Sequence, residues 1–209
     1  MIRILIADDH AVVRQGLIQI VSDTSDIVVS DEASNGREVL AKISKNKYDV
    51  VVLDVGLPDF SGLDILNEIK RENPELPVLM LSIYPEEQYA VRALKAGASG
   101  YLTKKVAPKE LIRAIRKVYS GGKYITSTLA EKMALYLADD EKPPHENLSD
   151  REFQVMFMLA EGKRVKDIAK VLFISDKTVS SYKSRIFGKM KMTSNAELIR
   201  YAIKHKLIE

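Results

Sequence analysis

Four apolar residues in a row, Val50, Val51, Val52 and Leu53, constrain this chain more than any other stretch. A strand that is apolar on both sides belongs in a parallel sheet covered by helices on both faces. The run stops at Asp54, and Gly56, Pro58 and Gly62 then impose a loop. One carboxylate is therefore expected at the carboxyl end of a central strand, where open α/β sheets form their ligand-binding crevice.

The flanking sequence repeats the unit. Strands are expected at Ile2–Ala7, Ile27–Ala33, Leu76–Leu81 and Ser99–Leu102. Helical spacing of apolar residues follows each one: Val13, Leu17, Ile20 and Val21, then Gly36–Ser44, Leu63–Arg71 after the central strand, Pro85–Ala96 and Pro108–Tyr119. Gly97 is placed to cap a helix carboxyl end. Five such repeats over residues 1–120 imply right-handed crossovers and a doubly wound, five-stranded parallel sheet.

Four strand ends then meet on one sheet edge. Asp8 and Asp9 close the first strand, Asp54 the third and Ser82 the fourth, and Lys104 follows the fifth. Adjacent carboxylates repel unless a cation is held between them. Oxygen donors of this kind suit a hard ion, Mg²⁺, with water completing its octahedron. His10, a lone histidine in a strand-to-helix loop, reads as a surface or capping residue.

With 209 residues the chain has room for a second domain, and charge marks where it lies. Residues 1–122 carry 16 Lys/Arg against 17 Asp/Glu, whereas residues 147–209 carry 13 against 7. A polyanionic partner is expected for the last third alone. Residues 121–144 read as a linker: Ser127–Leu137 is a short amphipathic helix, and an acidic, proline-rich stretch from Asp139 to Pro144 follows. The chain has no cysteine, which excludes disulfides and thiolate chemistry, and no apolar run long enough to span a membrane. Both features fit a cytoplasmic protein.

Residues 145–209 read as a small all-α domain of four helices. Ser149 with Glu152 forms a capping box, and Phe153, Met156, Phe157, Leu159 and Ala160 form a buried stripe ended by Glu161-Gly162. A short helix at Val165–Leu172, a turn and a longer helix at Lys177–Met190 make a helix-turn-helix over about residues 167–186. Asp176 is expected to assist the cap of the longer helix, and Thr193–Lys204 makes the last helix. Val179, Tyr182, Ile186 and Met190 share the inward face of the longer helix. Its outward face offers Lys177, Thr178, Ser180, Ser181, Lys183, Ser184, Arg185 and Lys189, with no acidic residue. Such a face suits the major groove of double-stranded DNA.

Residues 1–120, with Asp8-Asp9, Leu53-Asp54, Leu57-Pro58, Gly62, Ser82 and Gly100-Tyr101-Leu102-Thr103-Lys104, resemble the receiver domain of two-component response regulators. Residues 145–209 resemble the LuxR-type helix-turn-helix of the NarL/FixJ response regulators, through Leu148-Ser149, Arg151-Glu152, Ile168-Ala169, Ile174-Ser175, Lys177-Thr178-Val179 and Lys189-Met190. The resemblance implies a flavodoxin-like strand order 2-1-3-4-5. It implies that Asp54 accepts a phosphoryl group from a histidine kinase, with Asp9, Asp54 and the Gly56 carbonyl on Mg²⁺ and Asp8 acting through water. Lys104 would pair with the acyl phosphate, and Ser82 and Tyr101 would be the hydroxyl and aromatic switches. Phosphorylation would favour a homodimer on paired promoter half-sites. The receiver would act on itself and not as an enzyme on a separate substrate. Lys105 stands where many receivers have proline, and Tyr182 where histidine is frequent. Two other readings fit the residues less well. A haloacid-dehalogenase-type phosphohydrolase would carry a second aspartate where Gly56 stands, and an adaptor that binds no DNA would not need an acid-free basic helix face.

Overall fold

The computed structural model describes residues 1–84, 86–127, 129–131, 133, 143–205 and 207–208, with the backbone alone at 87 and 88. The chain divides into two units, Met1–Ala134 and Leu135–Glu209. Tyr136, Leu137 and the acidic stretch as far as Lys142 lie outside the described residues.

The first unit is the expected sheet. Strands β1 (Ile2–Ala7), β2 (Ile27–Ala33), β3 (Val50–Asp54), β4 (Val78–Ser82) and β5 (Gly100–Thr103) run parallel in the order β2-β1-β3-β4-β5. Helices α1 (Ala11–Ser22), α2 (Gly36–Lys45), α3 (Gly62–Glu72), α4 (Glu86–Lys95) and α5 (Pro108–Tyr119) alternate with them. Every residue of β3 is buried. Val50 and Val52 join Ile4, Ile6, Leu79 and Leu81 under the apolar faces of α1 and α5, while Val51 and Leu53 turn to the opposite face. β4 begins later than expected, past Pro77, whose nitrogen cannot donate to the ladder, and takes in Ser82. β5 is shifted by one residue. Gly97 ends α4 at φ +97°, as its place in the sequence implied.

The second unit opens on a 3-10 turn at Pro144–Asn147, followed by α6 (Asp150–Ala160), α7 (Val165–Val171), α8 (Asp176–Met190) and α9 (Asn195–Lys204). The capping box at Ser149 and Glu152 is present. In α6 the expected stripe is a continuous buried segment, which also takes in Gln154, Val155 and Met158, and α7, α8 and α9 all pack on it. Asp176 is the first residue of α8 and not its cap; Ser175 caps, accepting from the Thr178 amide. An acidic residue is thus present in the first turn, where the helix dipole favours it.

Candidate functional site

The carboxyl ends of β1, β3 and β5 deliver their side chains to one point. Lys104 Nζ lies 2.6 Å from Asp8 Oδ2 and 2.7 Å from Asp54 Oδ2. These side chains are shielded, with Asp8 at 0%, Asp54 at 5% and Lys104 at 11% exposure. Ligand atoms of Asp8, Asp9, His10 and Asp54 all fall within 4.8 Å of one another. Gly62 is what lets the loop after β3 turn back so sharply. A Cβ there would stand 2.1 Å from the Asp54 carbonyl oxygen and 2.8 Å from the Val55 Cα, and its amide donates to the Val55 carbonyl at 2.9 Å. Gly56 donates its backbone N–H to the Asp54 carboxylate.

His10 is exposed, as expected of a surface or capping residue. It occupies the cap position of α1, but its side chain makes no cap bond. Its Nδ1 instead sits 2.6 Å from Asp9 Oδ1, while its amide donates to Asp8 Oδ1 at 2.9 Å.

The pocket holds three carboxylates and one ammonium. Burial raises the proton affinity of Asp54 more than the Lys104 ammonium lowers it, and the Asp8 charge adds to the rise. Burial works against the charge on Lys104, yet Asp54 and Asp8 together hold its pKa above the ordinary value. Burial is thus the first cause of the Asp54 rise, and the two carboxylates are the cause of the Lys104 rise. Asp8 Oδ2 and Asp9 Oδ1 are buried, and their close partners among the described residues are the Lys104 ammonium and the His10 ring. An oxygen-donor set with this surplus of negative charge fits a divalent cation.

Ser82 and Tyr101 are joined by a side-chain hydrogen bond and by the backbone of Tyr84. The Tyr84 amide donates to Ser82 Oγ at 3.1 Å, and the Tyr101 hydroxyl donates to the Tyr84 carbonyl at 2.9 Å. Tyr101 is fully buried, and burial drives its phenol pKa sharply upward.

In the second unit the outward face of α8 exposes Lys177, Ser180, Ser181, Ser184, Arg185 and Lys189, with Thr178 and Lys183 half-buried. Val179, Ile186 and Met190 are buried. Lys183 lies over the Phe187 ring at 5.4 Å, and Arg185 over Tyr182 at 6.0 Å. Lys189 is turned aside: its Nζ donates to the buried Glu152 carboxylate at 2.6 Å. Burial would raise the Glu152 pKa, but Lys189 and the Ser149 amide hold it below the ordinary value. No periodicity could have revealed that pair, because its members lie on different helices.

Residues 4–116 match the family described as response regulator receiver domain, and residues 146–202 match the bacterial regulatory proteins of the luxR family. The response regulator UvrY of Escherichia coli K12 is 40% identical over 209 residues, spanning 99% of this chain and 96% of UvrY. The chain belongs to the response regulator family. GacA of Pseudomonas aeruginosa, also a response regulator, is 34% identical over 100% of this chain and 99% of its own. Among solved structures, the response regulator RcsB of Salmonella enterica serovar Typhimurium, bound to the promoter P1flhDC in the presence of the phosphomimetic BeF3−, superposes with a TM-score of 0.66. It is 26% identical, over 96% of this chain and 97% of that one. This response regulator thus joins a receiver sheet to a LuxR-type DNA-binding domain, as a two-component transcription regulator of the NarL/FixJ type. No helix among its described residues is long and apolar enough to cross a membrane.

Proposed function

We propose that this response regulator is switched by phosphorylation of Asp54. The observation that carries the reading is the Lys104 ammonium held between Asp8 and Asp54 at 2.6 and 2.7 Å, with Asp9 in the same cluster. A histidine kinase is the donor class. The Asp54 carboxylate attacks phosphorus, the phosphorus–nitrogen bond to the kinase imidazole breaks, and an acyl phosphate forms. The acceptor belongs to the chain itself, so the step is self-modification and not turnover of a substrate.

Asp8, Asp9, Asp54 and the carbonyl of Gly56 are the groups that would hold Mg²⁺, which when bound neutralises charge on the phosphoryl oxygens. Lys104 moves from the carboxylates to the new phosphoryl oxygens, to which it is already adjacent. The Ser82 hydroxyl accepts from the Tyr84 amide and gives its own proton to the Tyr101 oxygen, a proton that turns to the phosphoryl group once one is present. The bond from that amide, together with the Tyr101 hydroxyl on the same Tyr84 peptide, holds the loop after β4 inward. The population shift favours a homodimer whose two α8 helices enter successive major grooves. Lys177, Thr178, Ser180, Ser181, Lys183, Ser184 and Arg185 are the DNA-facing set. Lys189 serves the domain by neutralising Glu152 and contacts phosphate only secondarily.

Asp54→Asn decides the central point. With acetyl phosphate and Mg²⁺, intact protein should gain one acid-labile phosphoryl group by mass spectrometry, and the variant should gain none. Full labelling of the variant would refute the assignment.

A further inference from the structure

Beyond α5 the chain does not leave the receiver. The Tyr124 amide donates to the Ser99 carbonyl at 2.8 Å, and Tyr124 pairs in parallel with Gly100, extending the sheet past β5 by one residue. Lys123 Nζ donates to the Ala98 carbonyl at 2.8 Å, and the Tyr124 hydroxyl donates to Glu110 of α5. Gly100 is required for this approach: a Cβ there would stand 2.8 Å from both the Tyr124 carbonyl oxygen and its Cβ. Leu129 is then buried at 1% exposure.

Thr126 does two things at once. Its Oγ1 accepts from the Leu129 amide at 3.2 Å, the bond of an N-cap, and donates to Glu86 Oε2 at 2.6 Å. Residues 127, 129–131 and 133 are helical, so the hydroxyl that starts the linker helix is also tied to the first residue of α4. Glu86 stands two residues beyond Tyr84, the peptide that Ser82 and Tyr101 grip from both sides. Hydrogen bonds thus tie Ser82 and Tyr101 to Tyr84, and tie Thr126 to Glu86 two residues further along the chain.

We propose that residues 123–127, with Leu129, form a strap that transmits the state of the receiver to the DNA-binding domain, with the Thr126–Glu86 bond as its coupling contact. The inference rests on the phosphorylation reading above. When the loop after β4 is held inward, Glu86 is placed to receive Thr126 and the linker helix is capped in one position. When that loop relaxes, Glu86 moves with it and the cap is no longer anchored. Both sites bias one element, which is what an energetic coupling requires. Phosphorylation therefore tightens the strap.

The test uses the full chain and two readouts. Glu86→Ala removes the tether and leaves the Thr126 cap intact; Glu86→Gln keeps an acceptor oxygen. Phosphorylation of Asp54 by acetyl phosphate is measured first, then the gain in promoter-DNA affinity on phosphorylation. Glu86→Ala should be phosphorylated like the wild type, but its gain should shrink on the order of threefold to tenfold, the scale of one ordinary hydrogen bond. Glu86→Gln should restore most of it. A gain in Glu86→Ala equal to that of the wild type overturns the strap while leaving the phosphorylation reading standing. Wild-type protein that is phosphorylated without any gain overturns both. Hydrogen exchange in the wild type gives a check that needs no variant: the Tyr124 and Leu129 amides should exchange more slowly after phosphorylation, and unchanged rates refute the transmission.

Discussion

Replacing Lys104 with methionine puts the electrostatics of the pocket to a direct test. Methionine keeps the unbranched stem and removes the ammonium that stands 2.6 Å from Asp8 and 2.7 Å from Asp54. Both carboxylates are almost fully buried, so each loses its closest opposite charge and neither gains water. Breaking one buried pair costs about 3–5 kcal/mol. Here one cation serves two anions, so the upper part of that range is expected in the absence of divalent ions. Asp54→Asn in the same background removes one of the two stranded charges and should return about half of the loss. The measurement is urea unfolding of the receiver transition in excess EDTA, followed by circular dichroism, for the wild type, both single variants and the double variant. Adding Mg²⁺ should then stabilise Lys104→Met more than the wild type, because the divalent ion meets the same unbalanced charge. A loss below about 1 kcal/mol in EDTA, or a loss that Asp54→Asn does not relieve, would show that the carboxylates are not held in this arrangement.

Three further outcomes are expected. Gly62→Ala places a Cβ 2.1 Å from the Asp54 carbonyl oxygen, so the loop must move; a destabilisation above about 3 kcal/mol and slower acetyl-phosphate labelling are expected, and near-wild-type values for both would contradict the close approach. Lys177→Ala with Arg185→Ala removes two exposed cations from α8 and should lower the slope of log affinity against log salt by about 1.8; an unchanged slope would move the DNA contact off this face. Glu152 has a lowered pKa in the folded domain, so its contribution is present above the unfolded value of 4.5 and is lost as pH falls through the folded value. Lys189→Met should reduce that acid-side loss and cost about 1 kcal/mol at neutral pH, half-exposed as Lys189 is; an identical pH profile would refute the pairing.

The receiver was legible because its signals are local. An apolar run, a carboxylate and then Gly and Pro at fixed offsets mark each strand end, and the parallel topology brings those ends to one edge. Ser149 and Glu152 were legible as a capping box for the same reason, being three residues apart on one helix. What the sequence could not show are pairs with no spacing rule. Lys189 and Glu152 are 37 residues apart, and Thr126 and Glu86 are 40. Taken singly, Glu152 reads as a helix cap and Lys189 as a DNA-facing cation, and only the packed structure makes either pair partners. His10 is an exposed residue at the start of α1, as its loop implied, with one detail beyond that. Its place as a cap was legible from the loop, but the direction of its ring depends on where Asp9 stands, which is set by β1 and not by neighbours in sequence.

The same contrast bears on how α8 can read DNA. Its hydroxyls are partly engaged by the helix itself: Ser181 donates to the Lys177 carbonyl at 2.9 Å, and Ser175 and Thr178 share a bond of 2.8 Å. A hydroxyl that spends its proton on the backbone meets a base edge as an acceptor, which favours the amino groups of adenine and cytosine over the guanine oxygen. Lys183 and Arg185 are steadied over aromatic rings, so their charges are held near the helix and not spread through solvent. Position on the duplex should therefore come from a few ordered cations, and discrimination among bases from small hydroxyls of fixed polarity. Ser181→Ala should then relax selectivity at one base position while leaving the salt slope unchanged, as a competition assay on single-base operator variants would show. A change in the salt slope with selectivity intact would reverse the two roles.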